Sequence, residues 1–145
     1  MAGVTTNLEI NVPVEKFFEV ISDVESYPEF IPEMQSVEVI SMSDTEGEVK
    51  YDIKIMGFPV SYTLKLKKDF PKELSWTFVK GTKMKDNKGY WKLEKIDDNT
   101  TKAEYHVELK LGALVPKKFT DQLTKVGLPA LMKQFKERAE SLYKD

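Results

Sequence analysis

The sequence predicts an α+β fold, a curved antiparallel sheet wrapped around one long C-terminal helix. Three observations carry this. Residues 116–145 hold the one long helical pattern: Leu128, Leu131, Met132, Phe135, Ala139 and Leu142 recur at spacings of three and four on a single apolar face. Residues 33–112 alternate with period two instead, apolar against charged. A lone amphipathic helix must bury its stripe, and a sheet curved around it is the economical partner.

Taken in order, residues 4–12 form a half-buried first strand, with Thr6, Leu8 and Ile10 on one side and Asn7, Glu9 and Asn11 on the other. Pro13 suits the first position of a helix, where a missing N–H costs nothing. Phe17, Phe18, Val20, Ile21 and Val24 give that helix its apolar face. Residues 23–32 are dense in turn formers. Pro28 and Pro32 confine a second helix to about one turn, and Tyr27, Phe30 and Ile31 supply a small apolar plug. Two short helices therefore separate the first strand from the second.

Six more strands are expected at 35–43, 47–56, 60–69, 73–80, 88–96 and 101–111, which makes a seven-stranded sheet. The inward sets are Val49, Tyr51, Ile53, Ile55; Val60, Tyr62, Leu64, Leu66; Leu74, Trp76, Phe78; Trp91, Leu93; and Ala103, Tyr105, Val107, Leu109, Leu111. Charged residues such as Lys50, Asp52, Lys65, Lys67, Glu104 and Glu108 take the other face, the antiparallel signature of one dry and one wet side. Turn formers at 44–47, 57–59, 69–72 and 97–100 separate the strands.

The final helix has a flaw. Phe119, Leu123 and Val126 make a second apolar face roughly 160° from the later stripe, and Gly127-Leu128-Pro129 sits between the two. A proline inside a helix costs about 3 kcal/mol. A break or sharp kink is expected at 127–129, so that each half turns its apolar side inward. The helix is then either bent around a core or a hinged lid over a pocket. Lys133–Glu137, Lys136–Glu140 and Glu140–Lys144 are spaced for its solvated face.

At 145 residues the chain reads as a single domain, 1–145. The formal net charge of −2 supplies no global field for nucleic acid. With no cysteine, disulfides, thiolate metal sites and a cysteine nucleophile are excluded. No apolar run approaches the roughly 18 residues that span a bilayer, and residues 1–4 carry no signal-peptide pattern, so a cytoplasmic protein is expected.

Pro13-Val14-Glu15-Lys16-Phe17-Phe18-Glu19-Val20-Ile21-Ser22-Asp23-Val24-Glu25-Ser26-Tyr27-Pro28-Glu29-Phe30-Ile31-Pro32 resembles the opening of the START-like (SRPBCC) superfamily. Gly89-Tyr90-Trp91-Lys92-Leu93 and Phe135-Lys136-Glu137-Arg138-Ala139 are similar to the penultimate strand and final helix of its polyketide-cyclase and coenzyme-Q-binding, lipid-transport branch. The resemblance covers nearly the whole chain. It implies the helix-grip fold and a hydrophobic ligand: a lipid, an isoprenoid or quinone, or a polyketide-like ring. Many quinone-binding members carry tryptophan and cysteine after the proline matching Pro32; Glu33 and Met34 stand here, which points away from quinone.

An apolar cavity between sheet and helix is the expected site, walled by Tyr51, Ile53, Ile55, Tyr62, Leu64, Trp76, Phe78, Trp91, Leu93, Tyr105, Val107, Leu109, Leu131 and Phe135. Successive hairpins alternate ends, so 57–59, an expected loop at 81–88, and 112–116 share one end. Phe58, Leu114 and Val115 would rim a mouth there, with Lys80, Lys83, Lys85, Lys88, Lys117 and Lys118 around it to meet an anionic head group or membrane surface. The competing expectation is that these apolar tips pack on each other. The one histidine, His106, has outward parity and reads as a surface residue. No metal or cofactor pattern is present: no zinc spacing, no Gly-x-Ser-x-Gly elbow and no phosphate-binding glycine loop. No inward carboxylate or histidine offers a base. The leading expectation is therefore a carrier or binder of a hydrophobic small molecule. A polyketide cyclase or dehydratase, with Tyr51, Tyr62 and Tyr105 as donors, is the alternative. A ribosome-associated toxin-like interaction protein is a third, also implied by the branch.

Overall fold

The computed structural model describes residues 3–143. The chain runs β1 (Val4–Ile10), α1 (Val14–Ser22), a 3-10 turn (Val24–Glu29), β2 (Met34–Met42), β3 (Glu46–Ile55), β4 (Phe58–Asp69), β5 (Glu73–Thr82), β6 (Met84–Asp97) and β7 (Thr100–Leu111). A helix in three parts comes next: α2 (Lys117–Gln122), a π-helical turn (Leu123–Gly127) and α3 (Leu128–Leu142). The strands form one antiparallel sheet in the order β1-β7-β6-β5-β4-β3-β2. This is the expected architecture, a curved sheet gripping the C-terminal helix with two short helices between the first two strands.

Two hairpins depart from expectation. The β3–β4 connection is only Met56 and Gly57, both at positive φ (54° and 82°), and Ile55 pairs with Phe58 across it. That is the left-handed pair a two-residue hairpin demands. No loop exists at 81–88: β5 runs to Thr82, β6 starts at Met84, and Lys83 turns alone at φ 65°. The two strands pair only from Glu73–Trp76 to Gly89–Lys92. Beyond that, β5 stays with β4 while β6 stays with β7. The strands diverge, and the wedge between them leaves room for side chains that line a cavity.

The helix is not broken. Pro129 cannot donate an N–H and crowds the turn before it; the chain answers by widening that turn. The Leu128 N–H donates to the Leu123 carbonyl, five residues back. One extra residue per turn rotates the remainder of the helix by about 100°, which brings the two apolar faces from roughly 160° apart to roughly 60°. Leu123 turns partly inward as a result. Val126, expected to join it, is 54 % exposed, and Leu142 at the other end of the stripe is 52 % exposed. Lys133–Glu137 (3.8 Å) and Lys136–Glu140 (3.2 Å) pair on the outer face; Lys144 lies outside the described residues.

The buried residues fall into two clusters. The larger joins α1, the 3-10 turn, Trp91 and α3's Leu128, Met132, Phe135 and Ala139 to the middle of the sheet. The smaller joins Ile53, Ile55, Val60, Met84, Leu109, Leu111 and Val115 at the sheet's far end. No helix among the described residues is long and apolar enough to cross a membrane.

Candidate functional site

Between the two clusters, bounded by the sheet and the helix and open on one side, is a cavity of about 140 Å³. Tyr51, Ile53, Tyr62, Leu64, Trp76, Trp91, Tyr105, Val107, Leu109, Leu131 and Phe135, all expected from parity or the helical stripe, line it. Ile55, Phe78 and Leu93 do not. Ile55, at the end of β3, is packed into the smaller cluster with Val60 and Leu111. Phe78 follows a register shift at Thr63/Leu64 and packs on both clusters without reaching the space. Leu93 lies past Trp91, whose ring meets Phe17 of α1 edge-on at 5.4 Å, so α1 fills the space above it.

The expected mouth is closed. Phe58 stacks on Phe119 of α2 at 4.9 Å, and Val115 is buried in the smaller cluster. Leu114 alone reaches out, 97 % exposed. Phe58, Leu114 and Val115 all lie off the cavity wall. The apolar tips pack on each other and on the helix because Phe58, Val115 and Phe119 together cover more apolar area than any could alone. Lys83 lies over the Phe58 ring at 4.6 Å and Lys118 over Phe119 at 5.4 Å, so the lysines rim a plug. Among the lining residues, Met34, Tyr62, Leu123 and Leu131 keep partial exposure, which places access between the start of β2 and the π turn.

Several lining residues escaped the sequence reading. Val24, assigned above to the face of the first helix, and Tyr27, assigned to the plug, come from the 3-10 turn; Ile31 of the plug follows it, and Met34 opens β2. Leu66, Leu74 and Leu128 had inward parity or stripe positions that went unused. Met84 and Asn87 were hidden inside the expected loop, and only an unbroken alternation through Lys83 could have exposed them. Asn87 is 7 % exposed and its Oδ1 accepts from the Trp76 indole N–H at 3.0 Å. Opposite Trp76, Gly89 has no side chain for a reason: a Cβ there would run into the His106 carbonyl oxygen of β7 and stand 2.8 Å from the indole ring.

The wall is aromatic and uncharged. Tyr51 and Tyr62, facing each other across β3 and β4, stack at 5.1 Å. Tyr105 is held by Trp91 at 4.8 Å and Trp76 at 5.7 Å. Phe135 meets Trp91 and Tyr27 edge-on, each at 5.3 Å. Burial pushes the hydroxyls of Tyr27, Tyr51, Tyr62 and Tyr105 well above the ordinary tyrosine range, and neighbouring phenols add to it for Tyr27, Tyr51 and Tyr105. They are neutral donors at physiological pH, not bases. His106 lies outside, on the wet face of β7, between Thr5 Oγ1 (2.7 Å) and Glu108 Oε2 (3.1 Å), with Tyr90 stacked on it at 5.3 Å.

Residues 10–136 match the family described as polyketide cyclase / dehydrase and lipid transport. The chain belongs to this family. Solved structures agree on the fold. The Zhui aromatase/cyclase from Streptomyces sp. R1128 superposes with a TM-score of 0.84 at 14 % identity, over 96 % of this chain and 93 % of that one. A START superfamily protein from Mycobacterium smegmatis gives 0.83 at 17 %, over 97 % and 98 %. A protein from Thermus thermophilus gives 0.86 at 17 %, over 99 % and 100 %. No curated protein matches in sequence. Membership in the polyketide cyclase and lipid-transport family makes the space between sheet and helix the place to look for a ligand.

Proposed function

We propose that the chain is a single binding domain that holds or carries a hydrophobic small molecule, of lipid, isoprenoid or polyketide-like type, in the cavity between the sheet and the C-terminal helix. The observation that carries this is the wall itself: concave, apolar and rich in aromatic rings, without a charged side chain among the described residues. Such a surface rewards apolar burial at about 25 cal/mol per Å² and fixes orientation through a few polar tips. The same observation ranks binding above catalysis. A cyclase or dehydratase that moves protons wants a group poised near neutral pH. Among the described residues no carboxylate, histidine or lysine lines the cavity, and its phenols hold their protons.

The test is native mass spectrometry on protein purified gently from its own host, followed by extraction of whatever it releases. A discrete apolar molecule is expected on the wild type and lost in Leu131→Trp, which fills the accessible side of the cavity. A wild type that carries nothing and takes up no apolar probe sinks the reading.

The plugged end supports a contact with an anionic membrane during loading or delivery. Met56 and Leu114 are 62 % and 97 % exposed there, beside the exposed Lys80, Lys83, Lys85 and Lys117. Each lysine near an anionic surface contributes about 1 kcal/mol. Leu114→Asp is expected to reduce sedimentation with phosphatidylserine vesicles; equal sedimentation removes this part.

A further inference from the structure

Four tyrosines line the cavity, and only one of them has a hydroxyl committed to the protein. Tyr27 donates to the Ile21 carbonyl, one of the last carbonyls of α1. The hydroxyls of Tyr51, Tyr62 and Tyr105 have no hydrogen-bond partner among the described residues, although Tyr51 and Tyr105 are only 4 % and 7 % exposed. No fully occluded side-chain polar atom lacks a partner among those residues. These three hydroxyls therefore give onto open space, and the cavity they line is that space. Asn87 adds to the set: its Oδ1 is taken by Trp76, while its amide N–H reaches nothing better than the Met84 sulfur at 3.8 Å.

A hydroxyl that gives onto a cavity and is not committed to the protein is a donor left for whatever fills that cavity. Here there are three hydroxyls and an amide, all capable of donating, around one small volume. The supports are rigid. Tyr51 and Tyr62 are clamped ring on ring, and Tyr105 is wedged by two tryptophans. The stations come from β3 and β4 on one side of β5 and from β6 and β7 on the other. The volume sets the size. Ligand pockets commonly run to roughly 300–1,000 Å³, while a cavity of roughly 150 Å³ holds a benzene. At about 140 Å³ this one matches the size of a single ring. The charge sets the rest. With no cation on the wall, a carboxylate or phosphate would be desolvated without a counter-charge, which is strongly unfavourable.

From this we infer that the ligand, or the part of it held in the cavity, is a single neutral ring bearing oxygen acceptors, a ketone or cyclic alcohol group, held by Tyr51, Tyr62, Tyr105 and Asn87. This rests on the proposed binding role and narrows its ligand class. A fused polyketide, an acyl chain and an anionic head group are all disfavoured inside.

Both tryptophans of the chain, Trp76 and Trp91, line the cavity, so tryptophan fluorescence reports on it directly. The probes are cyclohexanone, methylcyclohexane and cyclohexanecarboxylate, similar in ring size and different in polarity, with hexadecan-1-ol as the long chain. Cyclohexanone is expected to bind. Its affinity should fall about three- to tenfold in each of Tyr51→Phe, Tyr62→Phe and Tyr105→Phe, the range of one lost hydrogen bond. Methylcyclohexane should bind these variants as it binds the wild type, which also shows that they are folded. Tyr90→Phe, on the outer face, should change neither. Cyclohexanecarboxylate should bind at least about tenfold more weakly than the ketone. If ketone and hydrocarbon respond alike to the three substitutions, the hydroxyls hold no ligand and the inference falls while hydrophobic binding stands. If neither ring binds but hexadecan-1-ol does, the single-ring size is wrong and the broader role survives. If nothing binds, both fall together.

Discussion

The two halves of the C-terminal helix meet the same sheet on different terms. In α3, Leu128, Met132, Phe135 and Ala139 are buried, and polar side chains tie the outer flanks down. Arg138 donates to Glu29 (2.8 Å), Lys136 to the Glu9 carbonyl (2.6 Å), and Glu140 accepts from the Asn11 N–H (2.9 Å). In α2 and the π turn no residue is buried. That half touches the sheet mainly through Phe119 on Phe58 and through Leu123. The cavity takes Leu128, Leu131 and Phe135 from the tightly held half and Leu123 from the loosely held one. A binding fold needs such a division: a firm base to position the aromatic wall, and a weakly held side through which a ligand can pass.

The comparison breaks first at Phe135. Its ring meets Tyr27, Phe30 and Trp91 edge-on at 5.3 Å each. Phe135→Ala is expected to cost about 3–5 kcal/mol of stability, the range for a buried phenylalanine. Phe119→Ala, its counterpart in the loose half, should cost only about 1 kcal/mol, since a half-exposed ring forfeits less burial. Urea unfolding of the two variants checks this, and equal losses would mean that the halves are equally packed.

Amide exchange sharpens it. Segments with few buried contacts open below the global unfolding free energy. Backbone amides of α2 and the π turn should open at least about 2 kcal/mol more easily than those of α3, seen as roughly 30-fold faster exchange. Uniform protection from Lys117 to Leu142 would make the helix one rigid unit and leave the access side without a moving part.

Much of this division was legible in the sequence. The stripe from Leu128 to Ala139 and the alternation along β3, β4 and β7 place most of the cavity wall, because burial on one face and charge on the other is a strong period-two signal. Three things were not legible. The β5–β6 turn rests on Lys83 at positive φ, a residue type that advertises no turn, so Gly81 drew the boundary and Asn87 was lost in a loop. The proline signalled a break, but a π turn absorbs it by changing phase, which no residue type announces. The plugged end could have been a mouth on pattern alone. Phe58 found Phe119, and that pairing depends on the helix phase the π turn set.

The cavity tyrosines also carry a pH dependence. Burial raises their folded pKa above the unfolded value near 10. Their contribution is fully present below about pH 10. It is lost as pH climbs, because the unfolded chain releases phenol protons that the folded one keeps. Each such tyrosine should remove about 1.4 kcal/mol per pH unit above 10. Tyr105→Phe should flatten the alkaline limb of a stability-versus-pH curve by that amount. An unchanged limb would mean that Tyr105 ionises as readily folded as unfolded and is not enclosed.

The smallest effect separates structure from function most cleanly. Tyr27 and Tyr51 are both buried phenols on one cavity wall, 9 % and 4 % exposed. The Tyr27 hydroxyl satisfies a carbonyl at the end of α1, where the helix itself runs out of donors. Tyr27→Phe strands that acceptor and should cost about 1 kcal/mol. Tyr51→Phe strands nothing, and removes a donor that the protein itself never uses. Its stability change should lie within about 0.5 kcal/mol of zero, and lean toward stabilisation. Thermal unfolding of the two variants decides it. A protein that keeps a rigid, buried hydroxyl at no benefit to its own stability keeps it for something that is not the protein. Equal losses at Tyr27 and Tyr51 would instead return Tyr51 to the ordinary core, and with it the strongest reason to look for an oxygen on the ligand.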